Sequence, residues 1–171
     1  MSRNFILDQG PGTFVNRQGY HSPKIRDDPY WCFGFLLKTP IYSFDLDPVN
    51  ALTWRYANGV EVQPNKHMAE TDRGSTPKCV HALYPPDRFL LSFFFHDSGA
   101  KDGGLFVRMP GETLFTFRKM TRAEVDSFLL LGVPAEGGTR FDKQAIYWPV
   151  RGFSWIPWNR YRKAESKTGL R

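Results

Sequence analysis

The sequence is poor in the features that mark whole classes of protein. No apolar run approaches the ~20 residues needed to cross a bilayer as a helix. The longest, Phe89 to Phe95, spans a turn or two of helix and is broken by Ser92. Met1 to Gln9 lacks the basic-then-apolar plan of a secretory signal, so neither export nor membrane insertion is expected. Cysteine is scarce: Cys32 and Cys79 stand alone, with no CxxC pair. That excludes a disulfide framework, and it favours two thiols in a reducing compartment over a single disulfide. There is no Walker loop, no GxGxxG, no GxSxG elbow and no HExxH. The glycine-rich stretch Gly99 to Gly104 holds Lys101 and Asp102 without a phosphate-loop frame and reads as a turn.

What is present is ordinary globular composition with unusual aromatic weight. Of 171 residues, 41% are hydrophobic and 23% charged, which excludes global disorder and fits one hydrophobic core. Aromatics make up 16%, 15 of them Phe, so a chain this short can still bury a large apolar area. The net charge of +6 is uneven. The last fourteen residues carry Arg160, Arg162, Lys163, Lys167 and Arg171 against Glu165 alone, which places +4 in the tail and +2 on the body. A nucleic-acid-binding domain shows its basic stripe on the folded body, so nucleic acid enters only through this tail. Residues 1–153 are expected to fold as one domain, and 154–171 to form a basic, Trp-containing arm.

The pattern predicts an α+β fold of antiparallel hairpins packed on two or three helices. A first hairpin is expected from Phe5-Ile6-Leu7 and Thr13-Phe14-Val15, then an exposed loop from Asn16 to Pro29. Two strands, Trp31 to Leu37 and Ile41 to Phe44, follow around a turn at Thr39-Pro40. Leu52 to Tyr56 and Val60 to Val62 alternate in polarity around Asn58-Gly59, a type I′ hairpin signal. Asn65 to Pro77 reads as a long polar loop. Arg88 to Asp97 is apolar all round and predicts a buried helix with Asp87 as N-cap and Gly99 as terminator. A hairpin around Met109-Pro110-Gly111 comes next. Thr121-Arg122-Ala123-Glu124 is a capping box that opens a helix ending before Gly132. The last helix runs from about Arg140 to Val150, capped by Thr139, with Pro149 bending or ending it.

Three places carry residues able to do chemistry. Thr71-Asp72-Arg73-Gly74-Ser75-Thr76-Pro77 offers a carboxylate, hydroxyls and backbone amides to an anion or a metal. His96-Asp97 sets imidazole beside carboxylate, a pair able to ligate a metal or share a proton. His67 lies five positions before Asp72. Each has a plainer alternative: a turn leading into proline, a histidine at a helix C-terminus, and a surface histidine.

The order of these motifs resembles a known family. A Thr-Asp-Gly-Ala-Ser-x-Pro segment, matched by Thr71 to Pro77, precedes an apolar helix ending in His96-Asp97. A helix carrying Asp126 follows, then a Tyr-x-x-Val-Arg ending, matched by Tyr147, Val150 and Arg151. Together this is similar to the phage and prophage family called domain of unknown function 1353, over roughly Trp54 to Phe153. Arg73 and Gly74 stand where that family has glycine and alanine.

The resemblance implies phage origin, with the virion or the host cytoplasm as location. It names no reaction. The expected function is a structural or accessory virion protein of the tail or head-to-tail region, with other virion subunits as partners. Trp155, Trp158, Arg160 and Arg162 are the expected contact residues. The alternative is a metal-dependent hydrolase acting on cell-wall peptide or another amide. Asp72, His96 and Asp97 would hold a divalent metal ion, and Glu70 or Asp97 would serve as catalytic base.

Overall fold

The chain builds two antiparallel sheets and covers them with helices. The computed structural model describes residues 4–32, 35–71 and 86–168. A short helix α1 (Phe5–Asp8) precedes strands β1 (Gly12–Val15), β2 (Tyr20–His21), β3 (Lys24–Cys32), β4 (Phe35–Leu46), β5 (Thr53–Tyr56), β6 (Glu61–Gln63) and β7 (His67–Thr71). A 3-10 turn (Pro86–Phe89) leads into helix α2 (Leu90–Asp102), followed by β8 (Gly104–Arg108) and β9 (Thr116–Lys119). Helices α3 (Arg122–Ala135), α4 (Arg140–Phe153) and α5 (Trp155–Thr168) complete the described chain. One sheet runs β1-β5-β6-β8-β9; in the other, β4 pairs with β2 and β3 and also with β7. The mixed α+β architecture is the one expected. No described helix is long and apolar enough to cross a membrane.

The core is aromatic. Phe95 of α2 stacks on Phe128 of α3 at 4.7 Å, and Trp54 and Phe14 meet Phe128 edge-on. Phe44, Tyr20 and Phe94 form a second group between β4 and α2. Offset and edge-on contacts of this kind add to what ring burial alone contributes. A smaller cluster of Phe89, Phe93, Leu129, Val133, Ile146 and Val150 joins α2, α3 and α4.

Several local expectations give way to tertiary structure. Phe5–Asp8 is a helical turn capped by Asn4, not a strand, and it buries Phe5 and Ile6. Strand β1 pairs with β5 instead. The polar stretch 16–29 is no free loop: β2 and most of β3 lie in it, paired with β4. A charged, largely exposed ribbon such as Lys24 to Asp28 reads as loop in sequence. Strand β4 continues through Thr39-Pro40, where no turn occurs. Among the described residues β7 and β2 reach β4 only from Tyr42 onward. Among the described residues Pro40 is paired with β3 alone, opposite Asp27, a setting in which a missing N–H is tolerated. Residues 67–71 of the expected polar loop form strand β7.

Helix α2 passes straight through Gly99 and stops at Gly103, whose φ of 75° is the left-handed cap. Gly99 serves close packing: a Cβ there would stand 2.9 Å from Val125 Cγ1. Gly132 lies inside α3 for a similar reason, its would-be Cβ 2.5 Å from Ser92 Oγ. The N-cap position of α2 is Phe89, not the expected Asp87, and its first turn is capped by Glu136, whose carboxylate accepts from the Leu91 and Ser92 backbone N–H groups and from the Ser92 hydroxyl. Capping boxes at Thr121/Glu124 and Thr139/Asp142 open α3 and α4.

Helix α4 runs through Pro149 to Phe153. A proline inside a helix costs about 3 kcal/mol, offset here by fully buried Ile146 and Val150 on either side. Ser154 stays right-handed helical, and α5 follows at once with Pro157 in its first turn, where no N–H is required. The segment after residue 153 is thus helical through Thr168, and Pro157 does not break it.

The hairpin at Asn58-Gly59 forms, but its turn is not type I′. Only Gly59 has positive φ, 85°; the Gly59 N–H donates to Tyr56 O, and the Tyr56 N–H to Val60 O. That is a three-residue loop ending in a left-handed glycine, held by Asn58 Oδ1 accepting from the Val60 N–H. No backbone or side chain crowds a Cβ at Gly59 beyond ordinary contact with Pro110. Gly59→Val should therefore destabilise through backbone strain alone, by at least about 1–2 kcal/mol. Thermal melting checks this, and an unchanged midpoint would contradict the turn assignment.

Candidate functional site

A bulge prepares one wall of the site. Strand β7 pairs Met68 with Phe44 and Thr71 with Tyr42, so three steps on β7 match two on β4. A regular strand would point Met68 and Thr71 to opposite faces; the extra residue turns both inward. The Thr71 hydroxyl then donates to Asp97 Oδ2 at 2.8 Å. Glu70 takes the outer face.

Helix α2 supplies the centre. His96 sits beside Phe95 on the buried side and is 2% exposed. Its Nδ1 lies 3.4 Å from Asp97 Oδ1, and its Nε2 lies 3.0 Å from Asp126 Oδ1 on α3. Asp126 is itself buried, and its second oxygen accepts from Arg151 of α4 at 3.0 Å and from the Ser154 hydroxyl at 3.0 Å. Arg122 closes the group by donating to Ser154 Oγ and to the Arg151 carbonyl. A continuous polar chain thus runs from Thr71 through Asp97, His96 and Asp126 to Arg151. It crosses from β7 over α2 and α3 to α4.

The electrostatics are those of a balanced buried network. Burial alone would push the His96 imidazole down, but hydrogen bonds to Asp126 and Asp97 outweigh it and raise the ring to about 9. Burial pushes the Asp126 carboxyl up, yet His96, Arg151 and Ser154 together hold it below its usual range. At neutral pH the His96 imidazolium therefore faces the Asp126 carboxylate. An imidazolium with that proton affinity does not accept a proton from substrate or water near pH 7. Both its nitrogens face carboxylates, the geometry in which an imidazolium donates twice.

The expected site residues distribute unevenly over this arrangement. His96 and Asp97 are brought together, and Asp97 forms the less buried end at 17% side-chain exposure. Asp72, with the rest of the segment 72–77, lies outside the described residues, and so does Cys79. Glu70 is held by Arg26 through both carboxylate oxygens, which keeps it well below the usual range and makes it a poor base. His67 pairs with Asp45 at 2.6 Å on an exposed flank of β4 and β7. Among the described residues no group of three or more His, Cys, Asp or Glu is arranged to hold a metal ion.

Of the four residues expected to meet a partner, two face their own chain. Trp158 packs against the core, and Arg162 lies over its ring and donates to the Ala100 and Lys101 carbonyls at the end of α2. Trp155 and Arg160 remain exposed. Sequence reasoning noted Asp126 and Arg151 only as family motifs and gave them no role. It missed Ser154 and Glu136 entirely; their partners lie 28 to 45 residues away, beyond any local pattern.

The raised His96 gives a stability signature with a definite sign. Its contribution is complete below an unfolded-state value near 6.5 and is lost as pH rises through about 9. Stability should therefore decline between those limits. In His96→Gln that decline should vanish, with a loss of about 3–5 kcal/mol at pH 6 from the broken buried pair. Denaturant unfolding at a series of pH values checks both. An equal decline in wild type and variant would contradict the assignment.

No family model, no curated protein and no solved structure matches this chain, so its role is read from the geometry above.

Proposed function

We propose that the chain is a phage-encoded structural or accessory virion protein of the tail or head-to-tail region, which assembles on other subunits through the outer face of α4 and α5. One observation carries this reading. Phe141, Trp148 and Trp155 are 75%, 64% and 52% exposed and recur every seven residues, so they line one side of the two consecutive helices. Three large aromatics in a row on one surface are a strong mark of an interaction site, because water is a poor neighbour for each of them. Trp and Arg are also the residues most enriched at interface anchors. The rim fits: Arg140, Arg160 and Lys163 are exposed, and the only acid between residues 140 and 163, Asp142, is buried. The phage assignment comes from the motif resemblance, whose His96, Asp97, Asp126 and Arg151 here fall in a single bonded row.

The hydrolase reading has less to stand on. Glu70 is tied to Arg26, and His96 spends both nitrogens on carboxylates. The row does what a structural polar network does: it fixes three helices relative to one another and so presents the α4–α5 face rigidly.

Mass spectrometry of purified particles from a phage carrying this gene checks the proposal. The wild-type chain should be found in the particles. A variant with Phe141→Gln, Trp148→Gln and Trp155→Gln should melt like wild type and be lost from them. Absence of the wild-type chain, or full retention of the triple variant, would contradict it.

A further inference from the structure

The same aromatic face has an internal symmetry that points to its occupant. Between the three rings, on the same side of the helix, lie small residues: Ala145 follows Phe141 by four, and Gly152 follows Trp148 by four. Gly152 is exposed, and a Cβ built there meets nothing within 4 Å, so the surface above it is open. Beyond Trp155, Asn159 takes the next place in the row and is also exposed. Large and small residues thus alternate along one stripe.

That alternation is self-complementary about a single point. Let a second α4–α5 pair run antiparallel, with a two-fold axis level with Val150. Trp148 then falls opposite Gly152 of the second copy, Trp155 opposite Ala145, and Phe141 opposite Asn159. Each ring meets a small or short residue, and each match occurs twice by symmetry. A two-fold contact requires just such a surface, since one patch must complement itself. Knobs set into holes along an apolar stripe are also how helices pack against each other. An edge-on contact with Tyr147 at 5.3 Å holds the Trp148 ring in place before any partner arrives.

We infer that this face binds a second copy of the chain as an antiparallel, two-fold helix pair; the inference rests on the assembly reading above and names the partner of that same surface. The rings supply the centre of the contact area, and the residues that flank them supply the remainder. The exposed parts of the three rings offer roughly 400 Å² per copy, about half of the ~800 Å² each partner commonly buries. Gln144, Asn159 and the stems of Arg140 and Lys163 flank them. Charge decides between this partner and an acidic one. The positions on the stripe, 141, 144, 145, 148, 152, 155 and 159, carry no charged side chain, and the basic residues stand beside it. Phosphates or carboxylates would draw their energy from basic residues within the contact; here the contact itself is apolar. Two copies at net +6 repel at long range, so added salt strengthens their pairing, whereas salt weakens binding to nucleic acid or an acidic protein.

Sedimentation velocity on the full chain, from about 1 to 200 µM and at low and high salt, tests the inference. The expected result is a concentration-dependent dimer that tightens with salt. Trp148→Ala should shift it to monomer by losing the knob. Gly152→Leu should do the same by filling the hole, while melting no lower than wild type, because leucine favours helix over glycine and meets open space. A wild-type chain that stays monomeric throughout overturns the inference, as does a Gly152→Leu or Trp148→Ala chain that dimerises like wild type. Binding of single-stranded oligo(dT) through Trp148 by a monomeric chain overturns it in favour of nucleic acid. A monomer that is nonetheless incorporated into particles through this face sinks the second copy and leaves the assembly reading standing, so the two failures are told apart.

Discussion

A carboxylate placed in a dry interior stays charged only if protein groups replace the water it gives up, and Asp126 meets that condition from three directions. His96 comes from α2, Arg151 from α4 and Ser154 from the junction of α4 and α5. Each bond is also a positional constraint, because a lone charge left by the departure of any partner is expensive. The relative placement of three helices therefore hangs on one side chain. The apolar zipper of Phe93, Leu129, Val133, Ile146 and Val150 runs beside it and contributes the non-directional share of the same contact. Burial holds the helices together; Asp126 fixes how.

The reach of this constraint extends to the surface. Arg151 sits one position after Val150 and three after Trp148, so the turn of α4 that binds Asp126 inward is the turn that shows Trp148 outward. Ser154 does the same for Trp155. At the other end of the row, Asp97 carries the constraint to Thr71 and the bulged strand β7. Arg162 adds an independent tie by binding the carbonyls that end α2. An assembly surface gains from such backing, because ordering it on binding then costs little.

Much of this was legible in the sequence wherever the signal was local. The Thr121 capping box, the Thr139 cap, the hairpin glycine and the buried Phe-rich helix declare themselves within a few residues. The type I′ expectation failed locally, since Asn58 keeps negative φ and caps the Val60 N–H; most other errors arise because a long-range partner overrode the local preference. Gly99 and Gly132 look like helix stops and are instead points where α2 and α3 touch. Pro149 looks like a helix end and is carried by buried neighbours on both sides. Charged residues of β3 look like loop because only pairing with β4 makes them a strand. The candidate site was half visible: His96-Asp97 stands out as a pair, but nothing near it in sequence announces that Asp126 and Arg151 complete it.

The claim that one buried carboxylate sets the helices, and through them the outer face, can be measured residue by residue. Asp126→Asn removes the charge with little change of shape. Native-state hydrogen exchange at neutral pH, compared between wild type and Asp126→Asn, reports the opening of each element separately. The account predicts that amides of α4 and α5 lose most protection, with those of α2 near His96 next. The sheet β1-β5-β6-β8-β9 should change only in proportion to the global loss of stability. Equal loss across sheet and helices, or unchanged protection in α4 and α5, would contradict it.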